Sequence, residues 1–160
     1  MAMKIPQYVT VSEVRKVCKE LSLRDWTKIK EPKVTSKEAS VILKVVNVKK
    51  MGIALEEFRM GLEVELEHGT MFDDANVTNN HPVLTGMIVL AHMKETLDYY
   101  ERLDVAEVEG DLLKAVLSRN LNKIETKYQK LIKAQAALNK VVSFQLKQRL
   151  GNIIAIREKQ

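Results

Sequence analysis

The pattern of apolar residues in the last third of the chain constrains the fold more than any other feature of the sequence. Apolar residues recur there at alternating gaps of four and three, which is the spacing of a helix that packs along one seam. The members of this predicted seam are Leu117, Leu121, Ile124, Tyr128, Leu131, Gln135, Leu138 and Val142. We therefore predict one coiled-coil-like helix from after Gly110-Asp111 to about Leu150, about 60 Å long at 1.5 Å per residue.

Several residues beside this seam indicate that the helix is covered by something else. The flanking apolar residues widen the stripe, which suits a multi-helix bundle or a larger surface better than a simple dimer. These residues are Ile132, Ala134, Val141 and Leu146. We expect Gly151 to end the helix and to leave an apolar tail, Ile153, Ile154 and Ile156, that a monomer would expose. The polar Gln135 either fixes the register between helices or marks a place where the seam meets water, and we favour the second.

A row of lysines runs along the opposite side of the same helix. Lys133, Lys140 and Lys147 are seven residues apart, and Lys123 and Lys130 lie next to them. The row is either a solvated helix back or a surface for nucleic acid or an acidic protein, because clustered lysines give salt-sensitive binding without sequence readout. The row contains no aromatic residue for base stacking, which argues against specific recognition of single strands.

The net charge of +5 hides a sharp partition along the chain. Residues 1–50 carry +7, residues 51–110 carry −10 and residues 111–160 carry +8. An acidic centre therefore lies between two basic arms, which can attract it within one molecule or between copies.

Composition excludes several classes of protein. No apolar run approaches the roughly 20 residues that a membrane span needs, and the N-terminus lacks the apolar segment of a signal peptide.

The lone Cys18 shares an apolar helix face with Val14, Val17 and Leu21. We therefore expect a buried structural thiol and a reducing, cytoplasmic location.

Two capping boxes predict two helices in the first third of the chain. The first begins at Thr10-Val11-Ser12-Glu13 and should run to about Leu21, and the second begins at Thr35-Ser36-Lys37-Glu38 and should run towards Lys50. Between them, Leu23–Pro32 reads as a connector in which Trp26 and Ile29 contact the core.

Two further helices, about Ala54–His68 and Pro82–Leu103, each carry one acid and one histidine three residues apart. The order is Glu65-x-x-His68 in the first and His92-x-x-Glu95 in the second. If the helices pack antiparallel, Glu65 lies level with Glu95, and His68 with His92. Gly69 should end the first helix, and Asn80 or His81 should cap the second ahead of Pro82.

This arrangement has two interpretations. Two carboxylates and two imidazoles are an adequate set of ligands for zinc, iron or manganese. Alternatively, the same groups satisfy one another by hydrogen bonding in a metal-free polar network, because interior polar groups must be paired.

These segments also resemble one small family. The matching stretches are Phe58–Gly69, Asn76–Asn79, Thr85-Gly86, Leu90–Glu95 and Asp98–Leu103. Their order resembles a bacterial and phage-borne domain family of unknown function with the core VELEHG, NVT, TGxIxLAHxxE and DYY, over residues about 23–109. The resemblance implies a small helical domain and directs attention to Glu65, His68, His92, Glu95, Asp98 and Tyr99, with Thr85 on the same helix line as His92. Leu97 replaces the proline usual before Asp-Tyr-Tyr, so the second helix is expected to run through this point.

We therefore predict an all-α protein, with a small helical bundle domain over residues 1–109 and a long, basic amphipathic helix with its tail over residues 110–160. The favoured function is a non-catalytic structural or interaction protein that forms homo-oligomers or docks on a larger assembly through its C-terminal helix. A phage particle component is one concrete version, in which case the location is the virion. The alternatives are a metal-binding protein that uses Glu65, His68, His92 and Glu95, and a non-specific nucleic-acid binder.

Overall fold

Helices are the only regular secondary structure over the residues that the computed structural model describes, and no strand forms among them. The structure describes residues 9–157, and their side chains except those of Asp73 and residues 148–157. The α-helices in this range are α1 (Val11–Glu20), α2 (Ser36–Val46), α3 (Leu55–Met71), α4 (Pro82–Glu95), α5 (Tyr99–Leu117) and α6 (Leu121–Arg157). Short 3-10 helices follow α1, at Trp26–Lys28, and α3, at Asp73–Ala75. The all-α prediction is confirmed, and no helix in the described range is long and apolar enough to cross a membrane.

Contacts divide the described chain after Leu97 into two compact units. The first contains α1 to α4, in which α2, α3 and α4 all pack against one another and α1 contacts α4. The second contains α5 and α6, which pack against each other as a helical hairpin.

The first two helices begin at the two threonines predicted to open capping boxes. Thr10 caps α1, where its hydroxyl accepts from the backbone N–H of Glu13. Thr35 caps α2 through a reciprocal box, in which its hydroxyl accepts from Glu38 N–H and the Glu38 carboxylate accepts from Thr35 N–H. Both N-caps are confirmed, and the full capping box is confirmed at Thr35. They satisfy backbone donors that the first turn of a helix leaves without partners.

The Glu38 carboxylate also ties the connector between α1 and α2 to the start of α2. Its Oε1 accepts from Trp26 Nε1 at 3.1 Å and from Arg24 Nε at 3.0 Å. Trp26 is completely buried, as predicted, and Ile29 is half-buried. Burial alone would raise the pKa of Glu38, but the hydrogen bonds from Thr35 and Trp26 and the charge of Arg24 lower it overall.

A glycine lets α2 and α4 approach each other closely in the core. A Cβ at Gly86 would lie 2.5 Å from Cγ2 of Ile42 and 3.3 Å from Cγ1 of Val46. Ile42 and Phe58 are both fully buried at this point. The absence of a side chain at Gly86 is therefore what allows these helices to pack at their observed separation.

Gly69 does not end α3, contrary to the prediction. The helix continues to Met71, and Gly69 lies inside its last turn. A Cβ at Gly69 would overlap with Oδ1 of Asn80. The glycine is needed for this close approach of the following loop rather than for a left-handed helix stop.

The helix that begins at Pro82 ends at Glu95 rather than at Leu103. Thr96 is extended, with φ −157° and ψ 141°, and α5 begins at Tyr99. Asp98 is buried and its carboxylate pairs with Arg102 Nη2 at 2.7 Å across the first turn of α5. The break therefore forms with Leu97, and not a proline, before Asp98-Tyr99-Tyr100, so the helix does not run through this point as expected.

The predicted helix over residues 111–150 is also interrupted. Its first part belongs to α5, and the chain reverses at Ser118-Arg119-Asn120. Arg119 is left-handed, with φ 51°, while Asn120 N–H bonds to Ala115 O and Arg119 N–H bonds to Val116 O. This is a Schellman motif formed without glycine. The side chain of Asn120 then caps α6 by accepting from Lys123 N–H at 3.0 Å.

The backbone of α6 continues to Arg157, so Gly151 does not end it as predicted. The side chains of Ile153, Ile154 and Ile156 lie outside the described residues, and the prediction that they form an exposed tail stays a prediction.

The Gly86 contact leads to a test with a matched control. We expect Gly86→Ala to lower the free energy of unfolding of the first unit by about 1–3 kcal/mol, because the added methyl overlaps Ile42. Gly110→Ala, inside α5 with nothing within 4 Å of the added methyl, should instead raise stability by about 0.5–1 kcal/mol. Denaturant titrations followed by Trp26 fluorescence and by circular dichroism would measure both changes. A Gly86→Ala variant as stable as the wild type would contradict the packing argument.

Candidate functional site

The acid–histidine pairs of α3 and α4 are brought together only in part. Nε2 of His92 lies 3.5 Å from Oε1 of Glu65. The Glu65 side chain is 13% exposed and that of His92 is 29% exposed, so the contact is partly shielded from water. We expected Glu65 to lie at the same height as Glu95, and His68 at the same height as His92. This expectation is wrong, because Glu65 faces His92.

His68 and Glu95, the other two members of the predicted cluster, are both exposed. Each lies two residues after a buried core residue, His68 after Leu66 and Glu95 after Met93. Two residues turn an α-helix by about 200°, so both side chains point away from the core that their neighbours enter. The helix register therefore separates the four residues into one contacting pair and two surface groups.

The described side chains contain no group of three or more His, Cys, Asp or Glu that could hold a metal ion. Glu65 and His92 together offer one carboxylate and one imidazole. Thr85 and Asp98, predicted as supporting residues, are buried, and Tyr99 is half-buried with its ring in an edge contact with Tyr100 at 5.2 Å between centroids.

A polar cleft of about 330 Å³ in the first unit was not predicted from the sequence. Its walls include three asparagines of the loop between α3 and α4, whose amides are used internally. Asn76 Nδ2 donates to Gly69 O and to Asn80 Oδ1, both at 3.0 Å, and Asn79 Nδ2 donates to Val9 O. Asn79 and Asn80 are left-handed, with φ 48° and 58°. These bonds fix the loop against α3 and against Val9, which gives the Asn76-Val77-Thr78-Asn79 stretch a structural role.

His81 has a defined structural role as the N-cap of α4. Its Nδ1 accepts from the backbone N–H of Leu84 at 3.3 Å, as one of the two predicted caps. Burial lowers the pKa of His81 below its ordinary value of about 6.5. The neutral ring is the form that can accept this hydrogen bond, so burial and capping favour the same protonation state.

In the second unit, the stripe of α6 that packs on α5 is rotated from the predicted seam. Ile124, Leu131 and Leu138 are shared by both sets, and they are buried or half-buried. The buried or half-buried stripe has the same alternating gaps of three and four and consists of Ile124, Lys127, Leu131, Ala134, Leu138, Val141 and Gln145. Val142 is also half-buried, whereas Gln135 is exposed.

Lys127 belongs to this stripe and forms the clearest polar contact of the hairpin. Its Nζ lies 2.5 Å from Oδ2 of Asp111 on α5, and both side chains are partly shielded. The hydrogen bond and charge of Lys127 lower the pKa of Asp111. The ion pair therefore fixes the register of the two helices near the turn.

The exposed apolar residues of the predicted seam lie on both helices of the hairpin, Leu121 and Tyr128 on α6 and Leu117 on α5. Leu121 is 79% exposed, Tyr128 57% and Leu117 74%. The neighbouring Ile132 and Val116 are also exposed. The turn after α5 places Leu117 on a different helix from Leu121 and Tyr128, so the predicted seam is not one continuous row, and α5 covers the adjacent stripe of α6.

The five lysines of the predicted basic row are all exposed. They are Lys123, Lys130, Lys133, Lys140 and Lys147, and none has an ion pair among the described residues. Phe144, which is 62% exposed, lies one turn from two of them, four residues after Lys140 and three before Lys147. Phe144 was not predicted from the sequence, because it does not belong to the lysine row itself. Its spacing of 14 residues from Lys130 was the available signal.

Comparison with known proteins identifies a family for the first part of the chain. A family model described as "Protein of unknown function (DUF5661)" matches residues 14–109, which confirms the expected domain of unknown function over that range. The match includes the first unit from α1 onward and ends inside α5. No curated protein and no solved structure matches the chain.

The His81 cap predicts a pH dependence with a definite sign. Because its pKa is lower in the folded chain than in the unfolded one, the stabilisation is present above about pH 6.5 and is lost as the pH falls through the folded pKa. We expect His81→Asn to keep the cap, since Asn is a good N-cap, while removing this part of the acid sensitivity. Denaturant titrations at about pH 7.5 and about pH 5.5 would measure it. An equal loss of stability on acidification in both proteins would contradict this role.

Proposed function

The chain belongs to the family described as "Protein of unknown function (DUF5661)", and we propose that it is a non-catalytic interaction protein that self-associates through one side of the α5–α6 hairpin. The exposed apolar row on that side carries the proposal.

The hairpin has two sides, and the groove between the helices identifies which residues share a side. One groove is lined by Lys114 and Ser118 from α5 and by Lys123 and Thr126 from α6. Val116 lies about 160° round α5 from Ser118, since one residue turns the helix by about 100°. It therefore belongs to the other side of the hairpin.

The same rotation places the exposed apolar residues of α6 on that other side. Measured from the buried Leu131, Tyr128 and Ile132 are turned by about 60° and 100° in one sense, and Lys123 by about 80° in the opposite sense. Leu121, seven residues before Tyr128, follows the same line. Val116, Leu121, Tyr128 and Ile132 thus form the apolar side of the hairpin, and all four are exposed.

A second copy of this chain is the favoured occupant because the hairpin is complementary to itself. Over its length α5 carries five acidic and two basic residues, whereas α6 between Leu121 and Lys147 carries six lysines and one glutamate. A two-fold axis can bring the apolar sides together and set the basic α6 of one copy near the acidic α5 of the other. Two hairpins joined in this way make a four-helix bundle, a common way for helical hairpins to bury a second stripe.

The resemblance to phage-borne relatives gives this proposal one concrete form, a subunit of a phage particle. The same self-associating hairpin would serve equally in a cytoplasmic assembly, and docking on a larger complex through the apolar side is the alternative to a pure homo-oligomer.

Measurement of the molar mass in solution tests the proposal. We expect the wild type to be a dimer or larger at micromolar concentration. Ile132→Asp should weaken the association at least tenfold. The apolar side chain that would be buried between the two copies is lost, and the new carboxylate would have to be desolvated there. Light scattering and sedimentation over a range of concentrations would report the change.

Ala137→Asp is the matched control for this substitution. Ala137 is also exposed on α6 but faces away from the apolar side, so the same added charge should leave the molar mass unchanged. A monomeric wild type at high concentration, or equal effects of the two substitutions, would refute self-association through this side.

A further inference from the structure

The outer face of α6 combines exposed positive charge with an exposed aromatic ring. Six lysines and one glutamate lie between Leu121 and Lys147, and of the lysines only Lys127 has an ion pair among the described side chains. The other five are exposed. From Lys123 to Lys147 they extend over about 36 Å of helix at 1.5 Å per residue. A polyanion lying along this face would therefore meet an uncompensated positive charge at almost every second turn.

The ring of Phe144 is an observation independent of the charge. A solvated helix back needs lysines but does not need a phenylalanine, and this ring is 62% exposed. It lies one turn from Lys140 and one turn from Lys147, so it stands between two cationic side chains on the same face. Aromatic rings beside lysines are the combination by which proteins hold single-stranded nucleic acid, with stacking on the bases and charge on the phosphates.

We propose that the outer face of α6 binds single-stranded nucleic acid, with Lys133, Lys140 and Lys147 at the phosphates and Phe144 stacked on a base. A single strand fits this face better than a duplex does, because the bases of a duplex are already stacked on one another and leave an aromatic side chain without a partner. The lysines give the affinity and the ring gives the preference for unpaired bases, without hydrogen-bond readout of sequence.

This binding does not rest on self-association of the hairpin. Phe144 lies about 120° round α6 from Ile132 and about 160° from Tyr128. The ring that stacks on a base therefore stays open whether or not the apolar side is covered. Ile132→Asp, which is expected to dissociate the oligomer, should still bind nucleic acid through each separate chain.

Fluorescence anisotropy with labelled oligothymidylate of about 20 nucleotides, and with a duplex of the same length, tests the proposal in the full-length protein. We expect binding at about 50 mM salt that weakens steeply towards about 200 mM, and a preference for the single strand. Phe144→Ala should weaken single-strand binding roughly five- to hundredfold and should reduce the preference over duplex. Phe144→Leu should behave like Phe144→Ala, whereas Phe144→Trp should retain affinity, because only an aromatic ring stacks.

A charge-matched pair of variants tests the lysines. Replacement of Lys133, Lys140 and Lys147 by Glu should remove detectable binding. Replacement of three exposed lysines of α1 and α2 by Glu, which changes the net charge equally, should reduce it only slightly; these are Lys16, Lys19 and Lys44. Circular dichroism of each variant would verify that the helices are intact.

Several results would overturn the proposal. These are no binding at low salt, equal affinity for duplex and single strand with no effect of Phe144→Ala, and equal effects of the two lysine triples. Binding only to vesicles containing anionic lipid, or only to a polyglutamate chain, would likewise assign the face to another partner.

Discussion

Two packed helices can cover only one stripe of each other, and this constraint governs the second unit. In α6 the covered stripe centres on Leu131 and Ala134, where α5 lies. A helix whose apolar residues exceed that stripe must leave the remainder in water or place it against something else. At about 25 cal/mol per Å² of buried apolar surface, the side chains of Tyr128 and Ile132 are a substantial source of association free energy. The proposed function follows from this surplus of apolar surface over what one neighbouring helix can bury.

The first unit shows the opposite situation, a core in which the available contacts are nearly all used. Gly86 has room for no side chain, and Gly69 has none because Asn80 lies against it. Glu38 uses both carboxylate oxygens, towards Thr35, Trp26 and Arg24. In the described range, no buried side-chain polar atom lacks a hydrogen-bond partner. Tight packing and complete hydrogen bonding make the described core of this unit rigid.

The parts of the fold that the sequence predicted correctly are those that local chemistry decides. Thr10, Thr35 and His81 cap helices through bonds to residues three positions away, so a short stretch of sequence contains the whole interaction. The turn after α5 was missed because Ser118-Arg119-Asn120 contains neither glycine nor proline, and the left-handed φ of Arg119 is imposed by the hairpin.

The acid–histidine cluster was half correct: spacing placed Glu65 and His92 on helices that meet, but the tertiary register decided that His68 and Glu95 face water. The fold class can thus be predicted from the spacing of apolar residues, whereas the set of residues that meet between two helices cannot.

The seam of α6 shows why rotation matters more than spacing for function. The rows through Tyr128 and through Lys127 have the same alternating gaps, and sequence alone favours the more apolar one as the buried seam. The structure covers the row through Lys127, because Asp111 pairs with that lysine and the small Ala134 lets α5 approach. This rotation turns Tyr128 towards one side and Phe144 towards another, about 160° away. A single helix can then present an apolar surface to one partner and a cationic, aromatic surface to a second. A helix buried along the predicted seam would have covered the first of these surfaces and left only the second.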